Sequence, residues 1–418
     1  MRRLAIPALL LCVLAAGLSN ATPTLSFAPN LAIADHFWWP SYPSAYSEML
    51  SLTLTAGLTE HVMWNSIRLE SSGYGDDSTD ISSVSVWIDT NDNGLVDAAD
   101  QFLGSGFYWT DDAPVTISFT SPFVIPAGGS IDALVAYTMS GFGWPCADYE
   151  LSATAATGIG WSSGGSAAIS GLPIAGATVM MAPNPVSIPA VKLQQPGAAG
   201  IAFLHDKIVT AYIQAGGEST WDQLHIEEDD RSGGIAVLIP TQGSPIAAVG
   251  DRISVDGVAF GSTAEAMLFG DCWAREPSHG SVPKPIGANN KVSGGGAFGL
   301  QQAVTNDATA VPPTNATGLS SIGLLARLYG KVTGSGQMVY GGVTRNVVWI
   351  DDGSALRDGF TFANGQPSLG VAVLIPMGMT VPATGTTWAA TGAMSAIYSA
   401  SLPVRFLLPR TSADLRRF

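Results

Sequence analysis

The chain has 418 residues, of which only 12% are charged, with 48 glycines, 26 prolines and a formal net charge of −15. Turn formers at this density, abundant Thr, Ser, Val and Ile, and no long run of apolar residues at helical spacing exclude a helical bundle and predict short strands. The length allows two to four domains, and beyond the first residues no stretch approaches the 18 apolar residues of a membrane helix.

Arg2 and Arg3 precede an apolar run from Leu4 to Leu18, followed by Ser19-Asn20-Ala21. This is the pattern of a signal peptide, with cleavage expected after Ala21. Cys12 lies inside the run and would leave with it. The expectation is a secreted or cell-surface protein with no membrane span in the mature chain. Cys146 and Cys272 then form an even pair in an oxidising compartment. A disulfide is one reading, but because the two fall in different expected domains, two free or buried thiols is the preferred one. Neither has a CxxC partner or a nearby His, so a zinc site has no support.

From Thr22 to Pro189 sixteen acids face Arg68 alone, whereas Ala190 to Phe418 carries seventeen acids and fifteen bases. The chain therefore reads as two electrostatic objects, divided near Pro183-Asn184-Pro185, with residues 183–189 as a linker. In the acidic part, 22–182, strand-like alternation occurs in SLTLT (51–55), SVSVWI (83–88), VTISFT (115–120), DALVAY (132–137) and ATVMM (177–181). Seven to nine strands fit an Ig-like β-sandwich. Between two of them DTNDNGLVDAAD follows the calcium-loop template: Asp89, Asn91, Asn93, the Leu95 carbonyl, Asp97 and Asp100 supply hard oxygens around the sharp turn at Gly94. Calcium is the expected cofactor. Two departures are an Asp where the template has Glu at the last position, and a preceding strand in place of a helix. The competing reading is a turn fastened by Asx hydrogen bonds without metal. Asp76, Asp77 and Asp80 read equally well as an extension of this acidic patch or as a solvated turn.

The phrases SSVSVWIDTNDNGLVDAADQFLGSG and SPFVIPAGGSIDALVAYTMSG resemble those of β-sandwich domains in large exported bacterial proteins. The resemblance covers roughly Leu52 to Met181 and implies a surface or spacer module.

GIAVLIP (234–240) recurs 136 positions later as GVAVLIP (370–376). Around it, WDQLHIEEDDRSG aligns with RNVVWIDDGSALRDGF, KIVTAYIQAGG with LLARLYGKVTGSG, and VGDRISVDGVA with TGTTWAATGAM, so the run is the buried third strand of a duplicated five-strand unit. The units, 190–275 and 319–418, flank a Gly/Pro-rich linker, 276–318. Their order resembles the OB-fold, a Greek-key barrel, with IEED (226–229) or IDDG (350–353) after strand two and GDRISVDG (250–257) as strand four. The second copy has TGTT (384–387) in place of Gly-Asp, which leaves its register open. KPIGANNKVSGGG (284–296) with GLSSIGLLARLYGKV (318–332) also resembles exported bacterial proteins carrying tandem OB-like modules, for which the resemblance implies no activity.

OB barrels bind oligonucleotides or oligosaccharides across strands two and three. His225 and Glu227 in the first copy, and Arg345 and Trp349 in the second, are the candidates on that face, with Trp388 a further stacking candidate. Over Ala190 to Gly270 the first copy has four bases against ten acids, which disfavours nucleic acid. The second has eight against four. Gly160-Trp161-Ser162-Ser163-Gly164 fits G-x-S-x-G, but its surroundings read as a hairpin and not as strand–turn–helix. GGGAFG (294–299) has no βαβ context and reads as flexible linker. His36, His61, His205, His225 and His279 lack metal spacing. The reading is an all-β, exported, non-enzymatic structural or adhesive protein whose sandwich is stiffened by calcium. A glycan- or nucleic-acid-binding module is the alternative, and a hydrolase the least supported.

Overall fold

The computed structural model describes residues 22–141, 143–193, 200–213, 221–241, 246–341, 343–360 and 368–418; the expected signal peptide lies outside them. The described residues are nearly all β, as the composition predicts. Among them no helix is long and apolar enough to cross a membrane.

The acidic part forms two facing sheets. One holds six strands in the order 168–170, 24–29, 47–56, 130–139, 81–88 and 101–106; the other holds five, 36–38, 174–181, 148–160, 62–73 and 115–125. Alternation along the strands sends Leu52, Leu54, Val84, Val86 and Val135 inward from one sheet and Trp64, Leu69, Ile117, Tyr149 and Leu151 from the other. Burying an aromatic of roughly 150–250 Å² at about 25 cal/mol per Å² is worth about 4–6 kcal/mol. Trp64, fully buried against Phe27 and Phe119, is the central anchor.

Strands Ile201–Ile213, Trp221–Glu227, Gly234–Pro240, Asp251–Gly261 and Ala266–His279 close into a barrel. In the second copy Leu325–Tyr340, Val343–Asp351, Val371–Leu374, Thr387–Ser399 and Leu402–Leu408 repeat the same cycle of pairings, closed between the first and fourth strands. The internal alignment holds bond by bond. His225 pairs with Ala236 and Trp349 with Ala372. Thr210 and Thr333 sit at equivalent bulges, each donating its hydroxyl to the strand-two carbonyl, of His225 and Trp349 respectively, at 3.3 Å. The register of TGTT is also settled: Gly250 N–H donates to Val209 O and Gly385 N–H to Val332 O, both glycines at positive φ, 100° and 87°. Thr386 stands where Asp251 stands, and the turn survives because glycine, not the acid, supplies the left-handed backbone.

Neither expected linker runs free. Ile188 and Val191, on the short helix Ile188–Leu193, join the first barrel's core, and Ile188 N–H donates to Glu228 Oε1 at 2.7 Å. In the Gly/Pro-rich stretch Asn290, Ser293, Val304, Thr305 and Ala316 are buried. The fully buried Arg405 of the second barrel donates to the carbonyls of Asn290, Ser293 and Thr305 and to Asn306 Oδ1, at 2.5–2.7 Å. GGGAFG is likewise packed: a side chain on Gly295 would strike Leu319 O. Glycine here serves close approach and not flexibility.

The two thiols read as unpaired form a disulfide, Cys146–Cys272, across 126 residues. Separation in sequence argued against the pairing, but sandwich and first barrel meet face to face through Phe37, Trp39, Ala182, Phe203 and Ala274, and the bridge closes beside that contact.

Candidate functional site

The loop 89–100 is wound by its own side chains. Asp89, buried, accepts from Asn93 N at 3.2 Å and Gly94 N at 2.9 Å. Asp100 fastens the two ends by accepting from Thr90 N and Asp97 N. The Asn91 and Asn93 amides both donate to Asp97 Oδ2, at 3.0 and 2.9 Å, and Asn93 Oδ1 accepts from Leu95 N. The Ala99 N–H and these two amides hold the Asp97 carboxyl below its ordinary range. Positions 3, 5 and 9 of the template thus gather at one carboxylate, with the chain turned by positive φ at Asp92 and Gly94. These are Asx-type bonds; for Ca²⁺ the two amides would turn their oxygens inward. The trios of acidic or thiol side chains that converge within 4.8 Å among the described residues lie elsewhere, at Asp77, Asp111 and Asp112, and at Cys146, Asp256 and Cys272. In the second trio the disulfide uses both thiols.

The loop is pinned to the sandwich by Val96 N–H donating to Glu48 Oε1 at 3.0 Å, and it borders a cleft of about 350 Å³ that also includes Trp39, Tyr42 and His205 of the first barrel. His205 Nδ1 lies 2.9 Å from Ser254 Oγ and 3.5 Å from Glu276 Oε1, and its ring is 4.6 Å from that of Trp39. Burial raises the Glu276 carboxyl, but the bonds from His205 and Ser254 outweigh it and hold the group below its ordinary value. Burial, then Glu48 and Glu276, push the Tyr42 phenol up. Ser254, His205 and an acid meet here without forming a triad, because serine and carboxylate share one ring nitrogen and Ser254 is fully buried. The sequence reading passes over this cluster; the signal that could have found it is Glu48, the one charged residue of the strand Ser47–Ala56.

The four barrel candidates do not line an open groove. His225, Glu227 and Trp349 alternate outward from their own barrel cores, as expected, but each is buried, because the barrels pack these faces against each other; Arg345 is half-buried. Trp349 packs with Met338, Phe406 and Ala211, the last from the first barrel. Glu227 accepts from Leu325 N at 2.6 Å and pairs with Arg231 at 2.8 Å. Gln223 links His225 Nε2, at 2.9 Å, to the Tyr340 hydroxyl, at 2.8 Å. Burial, reinforced by Lys192, lowers the His225 pKa to about 3, so the ring is neutral. Trp388 is half-buried, its Nε1 donating to Thr386 Oγ1.

Glu265, at the hairpin tip of the first barrel, reaches into the second and accepts from Ser395 and from Ala396 N. Burial lifts its pKa to about 7 and lowers that of the facing Lys192 to about 8. Lys192 Nζ donates to Ile322 O at 2.6 Å, at the edge of a cavity of about 480 Å³ lined by Arg231, Phe298, Leu319 and Leu324. Ser162 lies in a turn whose N–H groups, with that of Ser163, are held by Glu60 Oε2, and the chain returns to strand pairing at Ala168. The strained strand-to-helix turn of a nucleophile elbow is not the local structure.

No family model matches the chain, and no curated protein matches it.

Proposed function

We propose that this is an exported structural or adhesive module: an Ig-like sandwich followed by two OB-like barrels, held as one stiff body. The observation that carries the reading is the mutual burial of the faces holding His225, Glu227 and Trp349, which occupies the surfaces by which OB-like barrels take up ligands. Its support in compartment is the Cys146–Cys272 bridge, since disulfides persist in oxidising environments. The parallel pairing of strands three and five in both barrels supports the OB-like assignment.

Calcium is the proposed cofactor, held by Asp89, Asn91, Asn93, the Leu95 carbonyl, Asp97 and Asp100. Because the loop borders the cleft to the first barrel, an ion there would stiffen the junction as well as the sandwich. Binding to the native state raises stability by mass action. Millimolar Ca²⁺ is expected to raise the thermal midpoint of the full chain, and Asp89→Ala combined with Asp100→Ala to abolish the shift. An equal shift in both proteins would remove the loop from the account.

A second reading, contact with an extracellular glycan, is favoured by the exposed Tyr74, Trp109 and Trp144 on the loops at one end of the sandwich. Stacking on a sugar would quench tryptophan fluorescence in oligosaccharide titrations, and a Trp109→Ala variant would lose the response.

A further inference from the structure

The Cys146–Cys272 bridge has an unusual neighbour. Asp256 stands directly across from Cys272 in the barrel sheet, is 1% exposed, and sets Oδ2 3.9 Å from Cys146 Sγ. Its Oδ1 is buried with no hydrogen-bond partner. A buried carboxylate with one oxygen unsatisfied and no cation beside it is costly and ordinarily resolves by holding a proton. Around it lie Phe203 on the adjacent strand and the disulfide itself; the titratable neighbour is Asp271, which opposes ionisation. Burial, and then Asp271, push the carboxyl to about 7, while the backbone N–H of Gly257 restrains the rise. A stability role would be served better by an apolar residue. Both cysteines are half-buried, and Trp144 and Pro145, just before Cys146, are exposed.

We infer that Asp256 is the proton donor of an exchangeable disulfide, so that the bridge between sandwich and first barrel opens by thiol–disulfide exchange with an external dithiol. A thiolate of the dithiol attacks Cys272 Sγ, the Cys272–Cys146 bond breaks, and the departing Cys146 sulfur takes the proton from the Asp256 carboxyl. The second thiol of the reagent then attacks its own sulfur in the mixed disulfide, releasing Cys272 as a thiolate that is protonated from solvent. The dithiol is oxidised to its disulfide, the protein gains two thiols, and Asp256 recovers the proton that the dithiol lost. A leaving thiolate protonated as it departs leaves faster, which is the general-acid advantage. In the reverse direction the Asp256 carboxylate accepts the Cys146 proton and speeds closure.

The test is the rate of reduction of the full chain by dithiothreitol, followed by alkylation and mass, divided by the reagent's thiolate concentration at each pH from 5.5 to 8.5. In the parent this normalised rate is expected to fall as pH rises through about 7, with Asp256→Asn at least tenfold slower at pH 6 and flat. Asp271→Asn is expected to keep the fall but move its midpoint lower. An Asp256→Asn rate within twofold of the parent, or faster through local loosening, would overturn the inference. If that variant does not fold, the parent decides alone: a flat normalised profile also overturns it.

Discussion

Arg405 is the residue by which the second barrel holds the Gly/Pro-rich segment. Its guanidinium is buried with four acceptors and with Asp358 as the charge that offsets it; burial lowers its pKa to about 10. Arg405→Ala would leave the buried carbonyls of Asn290, Ser293 and Thr305 without this donor and remove the charge that offsets Asp358, and leaving a buried acceptor unsatisfied costs about 1–3 kcal/mol. Chemical denaturation is expected to register a loss of that size, and a loss under about 1 kcal/mol would mean that water replaces the guanidinium. Burial pushes Glu265, at the barrel interface, and Asp256, at the junction with the sandwich, to about 7 against ordinary values of 4.5 and 3.8. Between those limits the folded chain binds more protons than the unfolded chain, so stability falls as pH rises from about 4 to about 7. His225 acts oppositely: with a folded pKa of about 3, it costs stability as pH falls below its ordinary 6.5. Glu265→Gln is expected to flatten the thermal midpoint between pH 5 and 8, and an unchanged slope would assign the dependence elsewhere.

At the scale of elements, the duplicated barrel offers paired experiments. Thr210 and Thr333 each reach the strand-two carbonyl at 3.3 Å, but the single Thr333 hydroxyl hydrogen is shared with the closer Leu369 O, at 2.6 Å, which makes its bond the stronger. A lost hydrogen bond costs about 1 kcal/mol, so Thr333→Val is expected to destabilise more than Thr210→Val in urea titrations; the reverse order would contradict the bulge equivalence. Gly385→Ala is expected to cost about 1–2 kcal/mol for its positive φ, although a Cβ there would meet only Lys331 Cε, at 3.8 Å. Much of this was legible in the sequence. Alternation placed every expected sandwich strand within an observed one, and the repeated GIAVLIP located strand three because a strand buried on both sides must be apolar throughout. What stayed hidden was what lies outside a strand's own period. Glycine at 294–296 reads as flexibility when it permits close packing, and Arg405 gives no local sign that it gathers a distant segment.

For the whole molecule, the sequence divided the chain into separate objects, and the contacts between those objects were the part it did not reveal. Outward alternation marked His225 and Trp349 correctly as non-core, but whether such a face meets solvent or a second barrel depends on tertiary docking, which no period records. The same limit led to the unpaired reading of Cys146 and Cys272: cross-linking needs Cα atoms within about 7 Å, a condition fixed only once the sandwich settles on the first barrel. Calorimetric unfolding of the full oxidised chain, beside Trp349→Ala, tests the central claim most directly. If the barrels form one body through the faces holding His225, Glu227 and Trp349, they are expected to melt in a single transition whose midpoint the substitution lowers as a whole. Two separate barrel transitions, with Trp349→Ala moving only one, would contradict the account and return those faces to the search for a ligand.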